Sequence, residues 1–436
     1  MSLFGLLLGL ALLMVLTMRG MNLFLASALC AVLVAVTGGV ALLPALAADD
    51  APNALNAYMQ GFSGFIANWF FMFLLGAVFG KLMEDSGAAD SVARWITGHL
   101  GVQRAALAIV AACAVLTYGG VSLFVVAFSV YPMALSLFRQ ADLPRRFIPA
   151  TLAFGSVTFT MTSAGSPEIQ NWIPVEYLGT THLAAWQASA VVAVFMAVTG
   201  YAWLAWMLRR ARARGERFEG RADDPAVPER SLPSPLLSSL PLAIVLALAF
   251  AFHDVLGTAA LIVALGGGCL AAWLLQWRHV QDAGAAFTAG SVGALVAIGN
   301  TAAVVGFGAV ARVVPGFSQV VDFVTHLPGG GLVSAAVAVS LIAGMTGSAS
   351  GGQAIALPIL APHFLAQGVN PEQLHRVVAI SSGCLDSLPH NGYVVTTIRA
   401  ICGESHRAAY GAMAALTVLV PLAGLVLCLG LFALGL

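Results

Sequence analysis

Charge is scarce in this chain. Of its 436 residues 9% are Asp, Glu, Lys or Arg, whereas a soluble domain carries about a quarter. With 60% of residues hydrophobic there is too little polar side chain to cover a water-facing surface, which excludes a soluble monomer. Alternation is missing as well. The apolar runs are continuous, unlike the alternating segments of about ten residues that build a membrane barrel, so the spans are helical. No basic–aromatic cluster occurs, and nothing points to a nucleic-acid partner. Cysteine is sparse and scattered. Cys30, Cys113, Cys269, Cys384, Cys402 and Cys428 lie in apolar segments without metal-type or redox spacing and read as buried small hydrophobes. Neither a metal nor a cofactor is expected. The first apolar run has no basic residue before it, which reads as a retained first helix rather than a cleaved signal peptide.

What is present is hydrophobic length. Mean hydropathy is +0.92, and apolar segments fall at about 2–18, 21–47, 61–82, 105–138, 147–180, 183–208, 236–252, 256–277, 283–311, 330–367, 375–401 and 408–433. A helix needs about 20 residues to span a bilayer. Segments 105–138 and 330–367 are too long for one comfortable span. Thr117-Tyr118-Gly119-Gly120-Val121-Ser122 interrupts the first, and Thr346-Gly347-Ser348-Ala349-Ser350-Gly351-Gly352 the second. Kinked helices, paired spans and re-entrant hairpins all fit that pattern, and the basic residues choose among them. Arg104 precedes the first segment and Arg139, Arg145 and Arg146 follow it. Both flanks are then cytoplasmic under the positive-inside rule, so the segment enters and leaves on one side. With both segments as hairpins, all of the 19 basic residues except Arg312 and Arg376 fall on the cytoplasmic side, and both chain termini fall in the periplasm.

The stretch 209–234 concentrates charge and holds Pro225, Pro228 and Pro233, so it reads as a solvated cytoplasmic linker. It separates a first repeat, 1–208, from a second, 235–436. Shifting residues 61–92 by 232 positions gives nine identities without a gap, among them Asn68/Asn300 and Asp90/Asp322. Each half continues in the same order: a short amphipathic piece, a hairpin, a proline-marked turn (Pro144, Pro371) and a polar, broken segment. The first hairpin opens to the cytoplasm and the second to the outside. The expected fold is all-α integral membrane: an inverted-repeat transporter with two re-entrant helical hairpins and two broken transmembrane helices.

The broken segments carry the chemistry. Ser163-Ala164-Gly165-Ser166-Pro167-Glu168-Ile169-Gln170-Asn171 and Ser382-Gly383-Cys384-Leu385-Asp386-Ser387-Leu388-Pro389-His390-Asn391-Gly392 interrupt apolar runs with acid, amide, hydroxyl and imidazole groups. Non-helical backbone at membrane depth is tolerated where it is buried in protein or lines a watery cavity, so both segments are expected to line one cavity. A new helix start offers free N–H groups and a partial positive charge to an anion such as a carboxylate. Ser166, Asn171, Ser387 and Asn391 add hydrogen-bonding groups for substrate. Gly119, Gly120 and Ser122 at one hairpin tip, and Ser348, Ser350 and Gly351 at the other, would close the site from opposite sides. No Lys or Arg is expected at membrane depth to grip the anion. Asp386, Glu168 and His390 are the candidates for proton coupling, because intramembrane ionisable groups are functional suspects by default. Helix capping is the alternative for Asp386 and for Glu168. His375 and His406 read as interfacial, near helix ends. Asp386, Ser387 and His390 lack a nucleophile-elbow pattern, so no enzyme is expected.

Gly165-Ser166-Pro167-Glu168-Ile169-Gln170-Asn171-Trp172-Ile173-Pro174 and Leu385-Asp386-Ser387-Leu388-Pro389-His390-Asn391-Gly392 resemble signature segments of the gluconate:proton symporter (GntP) family. Phe79-Gly80-Lys81-Leu82-Met83-Glu84-Asp85-Ser86-Gly87 resembles a third, and the order and spacing cover most of the chain. The likeness is to the branch of gluconate or hydroxybutyrate permeases, since the Pro-His-Pro-type segment of typical gluconate permeases is replaced here. The resemblance implies the ion-transporter superfamily fold, often assembled as a homodimer on scaffold helices. It implies a small organic anion as substrate, such as gluconate, another sugar acid or 3-hydroxybutyrate, with a proton as coupling ion and sodium as its alternative. The protein is thus expected to be a proton-coupled organic-acid symporter in the bacterial inner membrane, surrounded by lipid. A gated anion or water channel, or an ion antiporter or exporter of the same architecture, is the competing reading.

Overall fold

A computed structural model of the chain describes residues 1–48, 51–101, 104–118, 123–166, 168–221, 232–256, 259–280, 282–325 and 330–436. Apart from one isolated bridge between Ala41 and Asn53, every regular element among them is helical. The first half begins with an antiparallel pair, α1 (Ser2–Met18) and α2 (Leu23–Gly38), and Asn22 caps α2 by accepting from the Phe24 and Leu25 amides. The long α3 (Ala54–Asp85) follows, capped by Asn53, and then the amphipathic α4 (Ala88–Leu100). The 105–138 run is two helices, α5 (Ala105–Tyr118) and α6 (Leu123–Gln140), packed on each other. The 147–180 run breaks into α7 (Ile148–Ala153), a wide turn over Phe154–Thr158, irregular backbone and α8 (Ile173–Leu178). A 28-residue helix, α9 (Trp186–Ala213), closes the half.

The second half repeats this order. The pair α10 (Pro235–Leu256) and α11 (Ala260–Leu275) leads to the long α12 (Ala283–Val313) and amphipathic α13 (Pro315–Thr325). A helical hairpin follows, α14 (Gly331–Thr346) and α15 (Ala349–Ala366). The second broken run is α16 (Pro371–Ser382), irregular backbone, α17 (Gly392–Val395) and a wide turn over Thr396–Ile401. It ends in α18 (His406–Ala414) and α19 (Val420–Ala433), which run on as one 28-residue stretch. Among the described residues four stretches are long and apolar enough to cross a membrane: α3, α9, α12 and α18–α19. With the shorter apolar helices beside them, they make this a multi-pass membrane protein.

The two long helices α3 and α12 form the axis of the molecule. They run antiparallel in near-backbone contact. A Cβ added to Gly61 would lie 2.8 Å from the Ala309 Cβ, and one added to Gly290 would lie 2.8 Å from the Val78 Cα. Small residues let membrane helices approach this closely, which strengthens dispersion contacts where no hydrophobic force separates helix from lipid. All six cysteines are buried and free.

Charge counting does not reveal how deeply one residue is buried. Arg376, which charge counting puts on the outer side at the start of the 375–401 segment, sits on α16 with no exposed surface. Two histidines read as interfacial are buried as well: His375, bonded to Thr180 at 2.7 Å, and His406. The stretch after α9 is pinned where the chain is described. Arg146 grips Glu216 with both ends of its fork at 2.7 and 3.0 Å, Arg217 meets Asp142 at 3.2 Å, and Arg145 and Arg221 share Glu404 at 3.0 and 2.7 Å. Residues 215–221 thus strap the entrance to the first broken run to the exit of the second.

Candidate functional site

A cavity of about 240 Å³ lies where both broken runs, the α14–α15 turn and the α3–α12 axis meet. Phe65 and Trp69 of α3, Phe124 of α6 and Tyr393 of α17 make one aromatic wall. Opposite stand the turn residues Thr346 to Gly351 with Ile355. Glu168, Ile169 and Gln170 enter from the first broken run, Asp386 and Asn391 from the second, and Thr301 and Arg312 from α12. Carboxylates from two halves of the chain therefore face one space, with a guanidinium at its edge.

The first broken run is held by an amide and a buried cation. The Asn171 Nδ2 donates to the carbonyls of Met161 (3.2 Å), Ser163 (2.8 Å) and Ser166 (3.4 Å). Its Oδ1 accepts from Arg376 Nη1 at 2.8 Å. The same guanidinium donates to the Thr162 carbonyl at 2.6 Å and to the Ala184 carbonyl at 3.0 and 3.2 Å. All these acceptors lie in the first half while Arg376 belongs to the second, so one side chain fastens the two broken runs together. A buried cation without a carboxylate partner is costly unless its donors are used, and here carbonyl and amide oxygens use them. Glu168 projects the other way. Its Oε1 is buried without a donor.

In the second broken run, Asn391 caps α17, accepting from the Val394 amide at 2.9 Å, and donates to the Gly347 carbonyl at 2.8 Å. The cap of α17 is therefore Asn391 and not Asp386. The Asp386 carboxylate accepts from the Ser387 hydroxyl at 3.0 Å and otherwise faces the cavity. The α14–α15 turn depends on Gly347, whose φ of +62° suits glycine, and Ser348 caps α15 through the Gly351 amide at 3.1 Å. Gln353 of α15 donates to the Gln170 carbonyl (3.1 Å) and the Ser382 hydroxyl (2.9 Å), tying the hairpin to both broken runs.

Of the residues expected from sequence, Glu168, Ser348, Ser350, Gly351, Asp386 and Asn391 line the cavity together. Ser166, Asn171, Ser387 and His390 do not line it. Asn171 is spent on carbonyls, and Ser166 is buried beneath the Glu168 amide. Ser387 stands behind Asp386, with its carbonyl bonded to the Tyr410 hydroxyl at 3.1 Å. His390 packs behind the hairpin turn, where a Cβ on Gly347 would lie 3.1 Å from its ring, and both ring nitrogens are buried without partners. Gly119, Gly120 and Ser122 lie outside the described residues. Sequence reasoning missed the aromatic wall, Thr301 and the arginines. Sequence reading assigns no arginine to the site, yet Arg376 lies in the packing beside it and Arg312 lines the cavity. Among the described residues no cluster of His, Cys, Asp and Glu could hold a metal.

A multi-pass helical protein with a cavity that brings carboxylates together between interrupted helices belongs to the class of membrane transporters, and comparison with known proteins agrees. The sequence model of the family described as GntP family permease matches residues 1–253, and this chain belongs to that family. It is 36% identical to the uncharacterized transporter YxjC of Bacillus subtilis, with 96% of each chain covered. An uncharacterized transporter of Haemophilus influenzae is 24% identical over 80% of this chain and 81% of its own length. Among solved structures, the YdaH transporter of Alcanivorax borkumensis aligns with a TM-score of 0.42 at 18% identity, covering 95% of this chain and 98% of that one.

Proposed function

We propose that this permease takes up a small hydroxy acid by proton coupling across the bacterial inner membrane. The observation that carries the reading is the meeting of Asp386, Glu168 and Arg312 around one cavity bounded by both broken runs and a hairpin turn. Arg312 supplies the positive charge for a carboxylate, and Ser348, Ser350 and Thr301 supply partners for a hydroxyl. The Phe65, Trp69, Phe124 and Tyr393 wall has only the Tyr393 hydroxyl and the Trp69 N–H to offer a polyol. A short acid with an apolar end, of the 3-hydroxybutyrate kind, suits that wall better than gluconate does. Asp386 is the coupling group in this reading, since it faces the cavity and caps no helix. Substrate and proton thus share one space, and protonation can change what the cavity binds.

The repeated order of elements, and the antiparallel α3–α12 axis, support an inverted repeat in which α5–α6 and α14–α15 enter and leave on opposite faces. Positive-inside counting then puts both termini in the periplasm, and a homodimer on the scaffold helices follows from the family resemblance. Sodium is the second reading. Glu168 Oε1, Gln170 Oε1 and Gln353 Oε1 are buried acceptor oxygens without donors, the ligand type a hard cation takes.

The test is uptake of labelled 3-hydroxybutyrate and gluconate into proteoliposomes under an imposed pH or sodium gradient. Accumulation against the substrate gradient, driven by pH and collapsed by a protonophore, is expected, with 3-hydroxybutyrate preferred. Purely downhill flux would assign a channel. Cation exchange without acid uptake would assign an antiporter, and sodium-driven accumulation at constant pH would replace the proton.

A further inference from the structure

A second cavity, of about 940 Å³, opens between the end of α1 and the start of α18, away from the cavity described above. Its apolar side is Met14, Val15 and Met18 of α1, and its polar side is Arg19, Arg399, His406 and Arg407. The cations have different duties. Arg399 donates to the carbonyls of Met21 and Thr17 and to His406 Nδ1 at 3.0 Å, so it staples α1 to the second broken run. His406 completes that staple at the Pro389 carbonyl, 3.1 Å away. Glu404, the acid at the rim, is shared between Arg145 and Arg221. Arg19 and Arg407 remain. Both are exposed, they come from opposite ends of the chain, and no protein group among the described residues pairs with either.

We propose that this groove seats an anionic phospholipid, with its phosphate between Arg19 and Arg407. Two further features point to a lipid. The first turn of α18 begins at the same rim, where Ser405 takes the Ala408 amide and the positive end of the helix dipole still favours a phosphate. The groove is lined by Val15, and Val15, Leu8 and Phe4, which are 47%, 42% and 66% exposed, lie on one face of α1 at helical spacing. An acyl chain leaving the groove at Val15 would run along that face. A soluble anion would gain nothing from it. Basic pockets between membrane helices with an apolar flank are the usual seats of acidic headgroups. By the positive-inside orientation both arginines lie at the cytoplasmic surface, where acidic lipid is at hand. The proposal does not depend on which acid the protein carries.

The test uses purified full-length protein in detergent, with unfolding followed on titration with phosphatidylglycerol, phosphatidylcholine or inorganic phosphate. Ligand bound to the folded state raises the midpoint with concentration. Phosphatidylglycerol is expected to raise it and phosphatidylcholine to leave it unmoved, and the response should be lost in the exposed double variant Arg19→Gln/Arg407→Gln. An equal response in that variant, or an equal response to phosphatidylcholine, would overturn the proposal. A matching rise with inorganic phosphate would give the groove to a soluble anion and overturn the lipid assignment. Should the double variant fail to fold, photoactivatable phosphatidylglycerol on wild-type protein decides. Labelling within 14–20 and 403–407 supports the site, and labelling confined to other peptides rejects it.

Discussion

Arg376 illustrates what a residue can do that its sequence context conceals. Its neighbours on α16 are His375 and Val377, and charge counting reads it as one of two cations on the outer side. Its partners are Thr162, Asn171 and Ala184, in the other half of the chain, and no local pattern names them. Replacing it with Met would leave those buried oxygens without donors, at about 1–3 kcal/mol each. Arg376→Met is therefore expected to lower the unfolding midpoint sharply and abolish uptake. Arg376→Lys should recover little, because an ammonium cannot serve carbonyls in several directions from one plane. A midpoint equal to wild type in either variant would remove the fastening role. Asp386 is the contrasting case. Its polar context marked it at once, and the geometry frees it from capping. Asp386→Asn keeps the size and the acceptor for Ser387 but cannot ionise. Uptake should lose its dependence on the pH gradient while the protein still folds and inserts. A wild-type pH dependence in that variant would exclude Asp386 from coupling.

At the scale of elements, the breaks were legible because Gly, Pro and Ser cluster inside runs that are otherwise apolar. The 330–367 run does split at Gly347, and 375–401 does unwind after Ser382. What fills the space between elements was not legible. Aromatic side chains facing lipid and aromatic side chains facing a cavity look alike in a hydropathy trace, so Trp69 and Phe124 carried no mark. The α14–α15 hairpin is closed by Gly352, where a Cβ would lie 2.6 Å from the Ala343 Cα. Gly352→Ala must push the helices apart, at the ~1–3 kcal/mol typical of overpacking, and shift the adjoining turn that faces the cavity. A lower unfolding midpoint with a raised KM for the transported acid is expected, and unchanged values in both would mean the hairpin yields freely. The strap over 215–221 makes a prediction about pH. The Arg146 hydrogen bonds hold the Glu216 carboxyl below its usual range. A lowered carboxyl contributes stability above the unfolded-state pKa, and that stability is lost as pH falls through the folded value. The strap should therefore be closed at neutral pH and loosen below the ordinary glutamate range. Hydrogen exchange at the Phe218 amide, bonded to Asp142 at 3.0 Å, should quicken in Glu216→Gln at neutral pH. Corrected for the intrinsic pH dependence of exchange, wild-type protection should fall to the variant's level only in acid. The pair is about one-third exposed and screened by solvent, so it contributes little to global stability and local exchange is the readout.

For the whole molecule the question is which parts move together. Arg376 and Gln353 tie the two broken runs and the α14–α15 hairpin into one body, and α3 with α12 forms the axis against which that body would rock. A transport cycle in which that body rocks would require the hairpin helices to slide past the axis. Two cysteine pairs test this directly, because the six native cysteines are buried and free. A Cβ on Gly76 of α3 would lie 3.7 Å from the Phe128 Cβ of α6, and one on Gly331 of α14 would lie 3.6 Å from the Val369 Cβ. Both distances fall within the ~3.5–4.5 Å that a disulfide spans. The first pair joins a hairpin helix to the axis, and the second joins the two ends of one hairpin. Oxidising Gly76→Cys/Phe128→Cys should stop uptake, and reduction should restore it to the level of the reduced variant, which accounts for the lost Phe128 ring. Gly331→Cys/Val369→Cys should carry substrate equally well oxidised and reduced. If the first disulfide forms and uptake continues, α6 does not move against α3, and the moving body must be redrawn around α14–α15 and the second broken run alone.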